Sequence, residues 1–239
     1  MAVAARMTVF KDLYEQYWAD PQHGRGASCS AGPNEILESV EAVLDTGGGL
    51  LDVGCGAGSV ADLARASFQR VCGCDLSVHA LRHARQRGMA VACVDLNAGV
   101  LPYRDSSFDC VTCLEVIEHV VDPLRLLKEL RRVLRPHGQL VITTPNVRYF
   151  RNILKLVLEG RFPHTTTDTF VWGGGHLHYF TRTDLAQLLG EAGFAHWQFV
   201  VNEKQFARSW KRRLLVKVLG SHRFGEWFCG GITASAIKG

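Results

Sequence analysis

Long apolar runs are the first thing this chain lacks. Although 47% of its 239 residues are hydrophobic, no stretch nears the ~20 consecutive apolar residues of a membrane-spanning helix. The opening MAVAARMTVFKDLYEQYW has neither the apolar core nor the small-residue cleavage site of a secretory signal, so the expected location is cytoplasmic. Repeats and low-complexity tracts are missing too, which excludes solenoids and linker-like chains. A large charge imbalance is also absent. The net charge of +4 is too small to argue by itself for a nucleic-acid partner.

Disulfide or zinc spacing is missing despite eight cysteines. Cys72 and Cys74 lie in RVCGCD, and Cys110 and Cys113 in FDCVTCL, both strand-like runs. Residues three apart on a strand point to opposite faces, so this C-x-x-C cannot converge on one ion. Cysteine acts here as a small buried hydrophobe in a reducing compartment. Acids, finally, are absent between Lys204 and Arg223, a stretch that also holds Arg208, Lys211, Arg212, Arg213 and Lys217. That basic segment reads either as a solvated helix face or as a contact for a polyanion or membrane surface.

What is present is alternation. GLLDVGCGAG is a strand that breaks at glycines, and SVADLARASF reads as a helix. RVCGCDLS, AVACVDL, SFDCVTCLE and QLVITTP are further strands, with VHALRHARQRG and DPLRLLKELRRVLRPHG as helices among them. The last helix has Asp122 and Pro123 as a start signal and Gly138 as a stop. Strands alternating with helices over 48–145 predict a parallel sheet covered on both faces. Downstream, NVRYFRNILKLVLEG reads as a helix and RFPHTTTDTFVWGGGHLHYF as a loop. TRTDLAQLLGEAGF is a helix capped by Thr181 or Thr183, AHWQFVV a strand, and GGITASAI a last strand.

In such a sheet, ligands sit beyond the carboxyl ends of the strands. The first strand runs into Asp52, Gly54, Cys55, Gly56 and Gly58, a loop whose glycines allow sharp turns and close approach to a ligand. A dinucleotide fingerprint wants its third glycine at 59, which is Ser59. The second strand ends at Asp75-Leu76, the third at Asp95-Leu96 and the fourth at Leu114-Glu115.

This G-x-G-x-G pattern, with acids closing strands two and three, resembles motif I and its partners in class I S-adenosylmethionine-dependent methyltransferases. The resemblance covers roughly 35–202 and is nearest the bacterial small-molecule methyltransferase-domain branch, with E-V-x-E-H after strand four. It implies a Rossmann-like, doubly wound α/β fold with a mostly parallel seven-stranded sheet, helices on both faces and an antiparallel last strand. It further implies a helical cap at 1–45 and a methyltransferase domain at 46–239. Within that domain lie a substrate-side insertion at 146–180 and a basic helix at 204–227. S-adenosylmethionine is the implied cofactor, with Asp75 on the ribose, Asp95 and Leu96 at the adenine, and the loop with Leu114 and Glu115 toward the methionine end.

Glu115, Glu118 and His119 in CLEVIEHVVDP admit three readings. They satisfy a turn; or His119 is a general base oriented by a carboxylate; or they hold a divalent metal, Mg or Mn. Similar E-x-x-E-H stretches in small-RNA 2′-O-methyltransferases and ubiquinone-pathway O-methyltransferases imply the set Glu115, Glu118, His119 and His176, with His178 competing for the last place. Tyr14, Trp18, Trp172, His176 and Tyr179 are the expected acceptor-side residues. The expected activity is O-methylation of a small molecule. RNA ribose methylation is the rival, and a non-catalytic S-adenosylmethionine-binding partner protein the reading from another class.

Overall fold

The computed structural model describes residues 11–12, 14–19, 33–163, 175–200 and 225–239. Its centre is a seven-stranded sheet in the order β3-β2-β1-β4-β5-β7-β6. The strands are β1 Gly47–Val53, β2 Phe68–Asp75, β3 Ala90–Cys93, β4 Phe108–Leu114, β5 Leu134–Pro145, β6 Phe194–Val200 and β7 Gly231–Lys238. The first five pair in parallel, β7 runs antiparallel to β5, and β6 antiparallel to β7. Because β1 pairs with both β2 and β4, the chain reverses its direction of winding beside β1, opening a crevice there.

Alternation along the strands sorts side chains into two cores. Leu51 and Val53 of β1 enter one with Val111, Cys113, Leu140 and Ile142. Leu50, Cys110 and Val141 enter the other. Cys110 and Cys113 therefore do lie on opposite faces, and both are free thiols. The first core is closed by α5 (Pro123–Val133) and α7 (Arg182–Glu191). The second is closed by α2 (Pro33–Glu41) and α3 (Ser59–Ala64). Leu81 and Ala84 of α4 (Val78–Gln86) pack with Cys55, Ala61 and Met89 in a third, smaller cluster. A short helical segment, α1, covers residues 14–19, and α6 spans Phe150–Glu159.

Local chemistry sets the helix starts. Asp122 caps α5 by accepting from the Arg125 N–H, with Pro123 in the first turn. Thr181, not Thr183, caps α7 in a reciprocal box with Asp184. One boundary differs from expectation. α5 ends at Val133 rather than running to Gly138, and β5 begins at Leu134. Arg135 precedes Pro136, which disfavours helix at that position. Leu134 pairs with Phe108, the register then skips, and Gln139 pairs with Cys110. The residues between form a bulge, with His137 at φ 61.

Leu127 is fully buried on the sheet-facing side of α5. Leu127→Ala is expected to lower unfolding free energy by about 2–5 kcal/mol, read by urea denaturation. A loss below about 1 kcal/mol would mean that α5 is not a principal wall of the core.

Candidate active site

The glycine loop follows β1 because its backbone needs conformations that side chains resist. Gly54 and Gly56 have φ 72 and 50, in the left-handed region that glycine enters most readily. At Gly54 a Cβ would run into the Val116 side chain; at Gly56 it would lie 2.8 Å from the Trp18 ring. The loop thus packs against the turn after β4 on one side and α1 on the other.

Asp75 fixes this loop. One carboxylate oxygen accepts the Gly56 N–H at 2.9 Å and the other the Ser77 N–H at 2.9 Å. Burial pushes Asp75 above the usual carboxylate range, opposed by these bonds, and the nearby Glu15 charge adds to the upward push. Each oxygen retains a further lone pair for a ligand hydroxyl, so the group expected to hold a ribose fits that task. Asp52 is buried beneath the loop and accepts a 2.8 Å hydrogen bond from Thr112, a brace between β1 and β4. Asp95 closes β3 differently: its side chain takes the Asn97 N–H in a local turn. Leu96 and Leu114 are partly buried against the two main cores, and Leu76 is half-buried beyond β2.

Glu15 was not singled out in the sequence. Its carboxylate accepts from Ser77 Oγ at 2.8 Å, Val78 N at 2.7 Å and His79 N at 3.1 Å. It thereby caps α4, where free N–H groups and the helix dipole favour an anion. Tyr14, its neighbour, stands edge-on to His119 with ring centroids 6.5 Å apart. α1 therefore touches the glycine loop through Trp18, the α4 start through Glu15 and the E-V-I-E-H turn through Tyr14. No local pattern announces a cap whose partners lie more than sixty positions away.

The residues after β4 form that turn. Glu115 has φ 55, uncommon for a residue with a side chain, and its N–H donates to the Thr143 carbonyl at 3.1 Å. Glu118 is 1% exposed; one oxygen accepts from Thr144 Oγ1 at 3.0 Å, while Oε1 has no hydrogen-bond partner and lies 4.0 Å from His119 Nε2. Burial, with the Glu115 charge behind it, pushes Glu118 well up. Its backbone carbonyl accepts the N–H groups of Leu177 and His178, which ties the 175–180 segment to the turn.

That tie brings His176 to His119, with ring centroids 4.7 Å apart. Ligand atoms of Glu118, His119 and His176 all lie within 4.8 Å of one another. Glu115 does not join them within that distance. It lines a small cavity with Glu35, Ser39, Thr143 and Thr233, and burial pushes it up to about 7. His178 is no competitor for the cluster: its ring tilts against Phe180 and its Nε2 is buried without a partner. His119 Nδ1 lies 3.1 Å from the Gly175 carbonyl. A carbonyl only accepts, so Nδ1 carries the proton and the basic lone pair is on Nε2. Tyr179 packs near His176 at 6.2 Å. Trp172 and the basic stretch 204–223 lie outside the described residues.

A family model described as a methyltransferase domain matches residues 22–198, well over half of the chain. The chain belongs to this methyltransferase-domain family. The family's class I, S-adenosylmethionine-dependent character agrees with the sheet order and with the glycine loop. A probable S-adenosylmethionine-dependent methyltransferase of Mycobacterium tuberculosis is 39% identical over 145 residues, 61% of this chain and 48% of that protein. A ubiquinone biosynthesis O-methyltransferase of Xanthomonas oryzae is 35% identical over 117 residues, 46% of this chain and 48% of that protein. Among solved folds, a possible histamine N-methyltransferase from Thermotoga maritima superposes with a TM-score of 0.59 at 21% identity, covering 86% of this chain and 88% of that one. The chain spans about half the length of these curated relatives. Among the described residues, no helix is long and apolar enough to cross a membrane.

Asp52 provides a test of the buried brace. Burial lifts its pKa to about 7, above the ordinary value of about 3.9. The folded state then binds the proton more tightly than the unfolded chain, so this group's contribution to stability falls as pH climbs between those two values. Asp52→Asn, which cannot ionise, is expected to gain on wild type between pH 5 and pH 8 in urea denaturation. An equal difference at both pH values would refute the shift.

Proposed function

We propose that the chain transfers the methyl of S-adenosylmethionine to a hydroxyl oxygen of a small-molecule acceptor. The Glu118–His119–His176 cluster carries this reading, since it gathers a buried carboxylate and two imidazoles at the end of β4, beside the glycine loop. The cofactor supplies an already activated methyl on a sulfonium. The chain's task is then to align acceptor and methyl and to exclude water. The carboxylate of Asp75 holds the ribose, the loop from Gly54 to Gly58 receives the methionine end, and Asp95 with Leu96 borders the adenine. α1 covers the site through Tyr14 and Trp18.

His119 Nε2 is the atom suited to take the acceptor proton, because the Gly175 carbonyl fixes the other nitrogen as the proton-bearing one. The donor set also fits a divalent ion: Glu118 Oε1 is buried with no hydrogen-bond partner, 4.0 Å from His119 Nε2, and one carboxylate with two imidazoles suits Mn better than Mg, whose donors are oxygens. A metal bound there would lower the pKa of an acceptor hydroxyl. Glu118, His119 and His176 would hold it, with Glu115 outside the set. The O-methyltransferase name of the Xanthomonas relative supports oxygen as the acceptor atom.

Two measurements test the reading. Calorimetry with S-adenosylhomocysteine is expected to give saturable binding that Asp75→Ala abolishes; unchanged affinity would remove Asp75 from the nucleoside site. A Mn²⁺ titration followed by water-proton relaxation, with S-adenosylhomocysteine present, is expected to show binding that His119→Ala weakens about tenfold, roughly 1.4 kcal/mol. Absence of Mn²⁺ binding in wild type leaves His119 as a base or as a structural residue of the turn. Loss of methyl transfer to phenol and catechol acceptors in His119→Ala then checks the role of base.

A further inference from the structure

α6 presents most of its apolar residues outward, Phe150 and Ile153 being half-buried. Leu154, Val157 and Leu158, spaced to share one helix face, are all exposed, the last two at 71% and 76%, and Leu156 is exposed on another face. Phe162, just past the helix end, is 49% exposed. Core-facing amphipathic helices bury such a stripe; here the buried residue is the polar Asn152, whose amide donates to the Asn146 carbonyl. Arg151 and Lys155, one turn apart, flank the stripe, and Arg161 follows it; all three are exposed. None of the three has an ion-pair partner among the described residues.

The stripe is continuous with the active site. Phe162 packs edge-on against Tyr179 at 4.8 Å, Tyr179 lies 6.2 Å from His176, and His176 lies 4.7 Å from His119. The turn Gly225–Phe228, into which the acid-free basic stretch 204–223 leads, is anchored at the start of α6. There Glu226 pairs with Arg148, and Phe228 packs on Phe150 at 5.7 Å.

We propose that α6 docks the protein on an anionic membrane surface, with Leu154, Val157, Leu158 and Phe162 entering the headgroup boundary and the flanking cations meeting lipid phosphates. A helix with an apolar face beside Lys and Arg lies in the interface and does not span the bilayer. The exposed stripe, bordered by three cations and the single acid Glu159, fits a fluid anionic surface. Taken with the proposed function, on which this step rests, docking would set the acceptor side of His176 and Tyr179 at the bilayer. The acceptor class is then a membrane-resident amphiphile that presents a hydroxyl.

Flotation with vesicles of phosphatidylcholine alone, or with one third phosphatidylglycerol, tests the surface without using activity. The full chain is expected to float with the anionic vesicles only, less so at high salt. The double variant Val157→Glu/Leu158→Glu should reduce that binding roughly tenfold or more. Both positions are exposed, so the variant is expected to keep its circular dichroism, its S-adenosylhomocysteine affinity and its transfer to a water-soluble phenol. Wild type that fails to float, or a variant that floats equally well, overturns the proposal. Centrifugation that finds a wild-type dimer and a monomeric variant, with no flotation, overturns it too and assigns the stripe to a second copy of the chain. Loss of phenol methylation in wild type sinks the proposed reaction alone, because flotation is scored independently.

Discussion

Everything at the ligand end of the sheet leans on one carboxylate. Asp75 closes β2 and takes an N–H from Gly56, beyond β1, and another from Ser77, at the start of α4. Two strand ends and a helix start are thereby held in one frame. A buried carboxylate is costly unless its lone pairs are used, so the loop and the helix start satisfy Asp75 as much as it satisfies them. Asp52 repeats the arrangement one strand deeper through Thr112. The two acids lie close enough for the charge of Asp75 to push Asp52 upward, and both need their neighbours in place.

The proposed acceptor side is built on a different principle. There the frame is the backbone carbonyl of Glu118, which receives Leu177 and His178 and carries His176 toward His119. The side chain of Glu118 is left buried with one oxygen satisfied by Thr144 and the other without a hydrogen bond, 4.0 Å from His119 Nε2. Such strain is expected where a site awaits a ligand rather than where a core is packed. α1 bridges the two halves, with Glu15 at the start of α4, Trp18 against the glycine loop and Tyr14 against His119.

Much of the fold was legible because strand and helix periods differ and because each strand of the parallel part ends in a loop with its own chemistry. The face-splitting of Cys110 and Cys113 followed from strand geometry alone. The early end of α5 was harder: its leucine spacing continues through Leu134, and only the restriction that Pro136 places on Arg135, with the pairing of Leu134 to Phe108, turns the chain into β5. At the site, the resemblance to E-x-x-E-H methyltransferases pointed to Glu118, His119 and His176 together, whereas the departure of Glu115 was not readable. Its positive φ aims the side chain toward the Glu35 cavity, and no residue type signals that turn. Glu15 escaped for a related reason, since a cap supplied across tertiary space leaves no spacing to read.

The main-chain tie between Glu118 and the 177–178 amides has an evolutionary consequence. Because it uses a carbonyl and two N–H groups, any non-proline residue can occupy positions 177 and 178 without releasing the segment. Side chains at 177 and 178 can therefore drift while their backbone stays in place, and the Asp75 frame is untouched by such drift. On the proposed assignment, acceptor preference and cofactor binding are mechanically separable, so divergence toward a new acceptor need not begin by loosening the hold on the methyl donor.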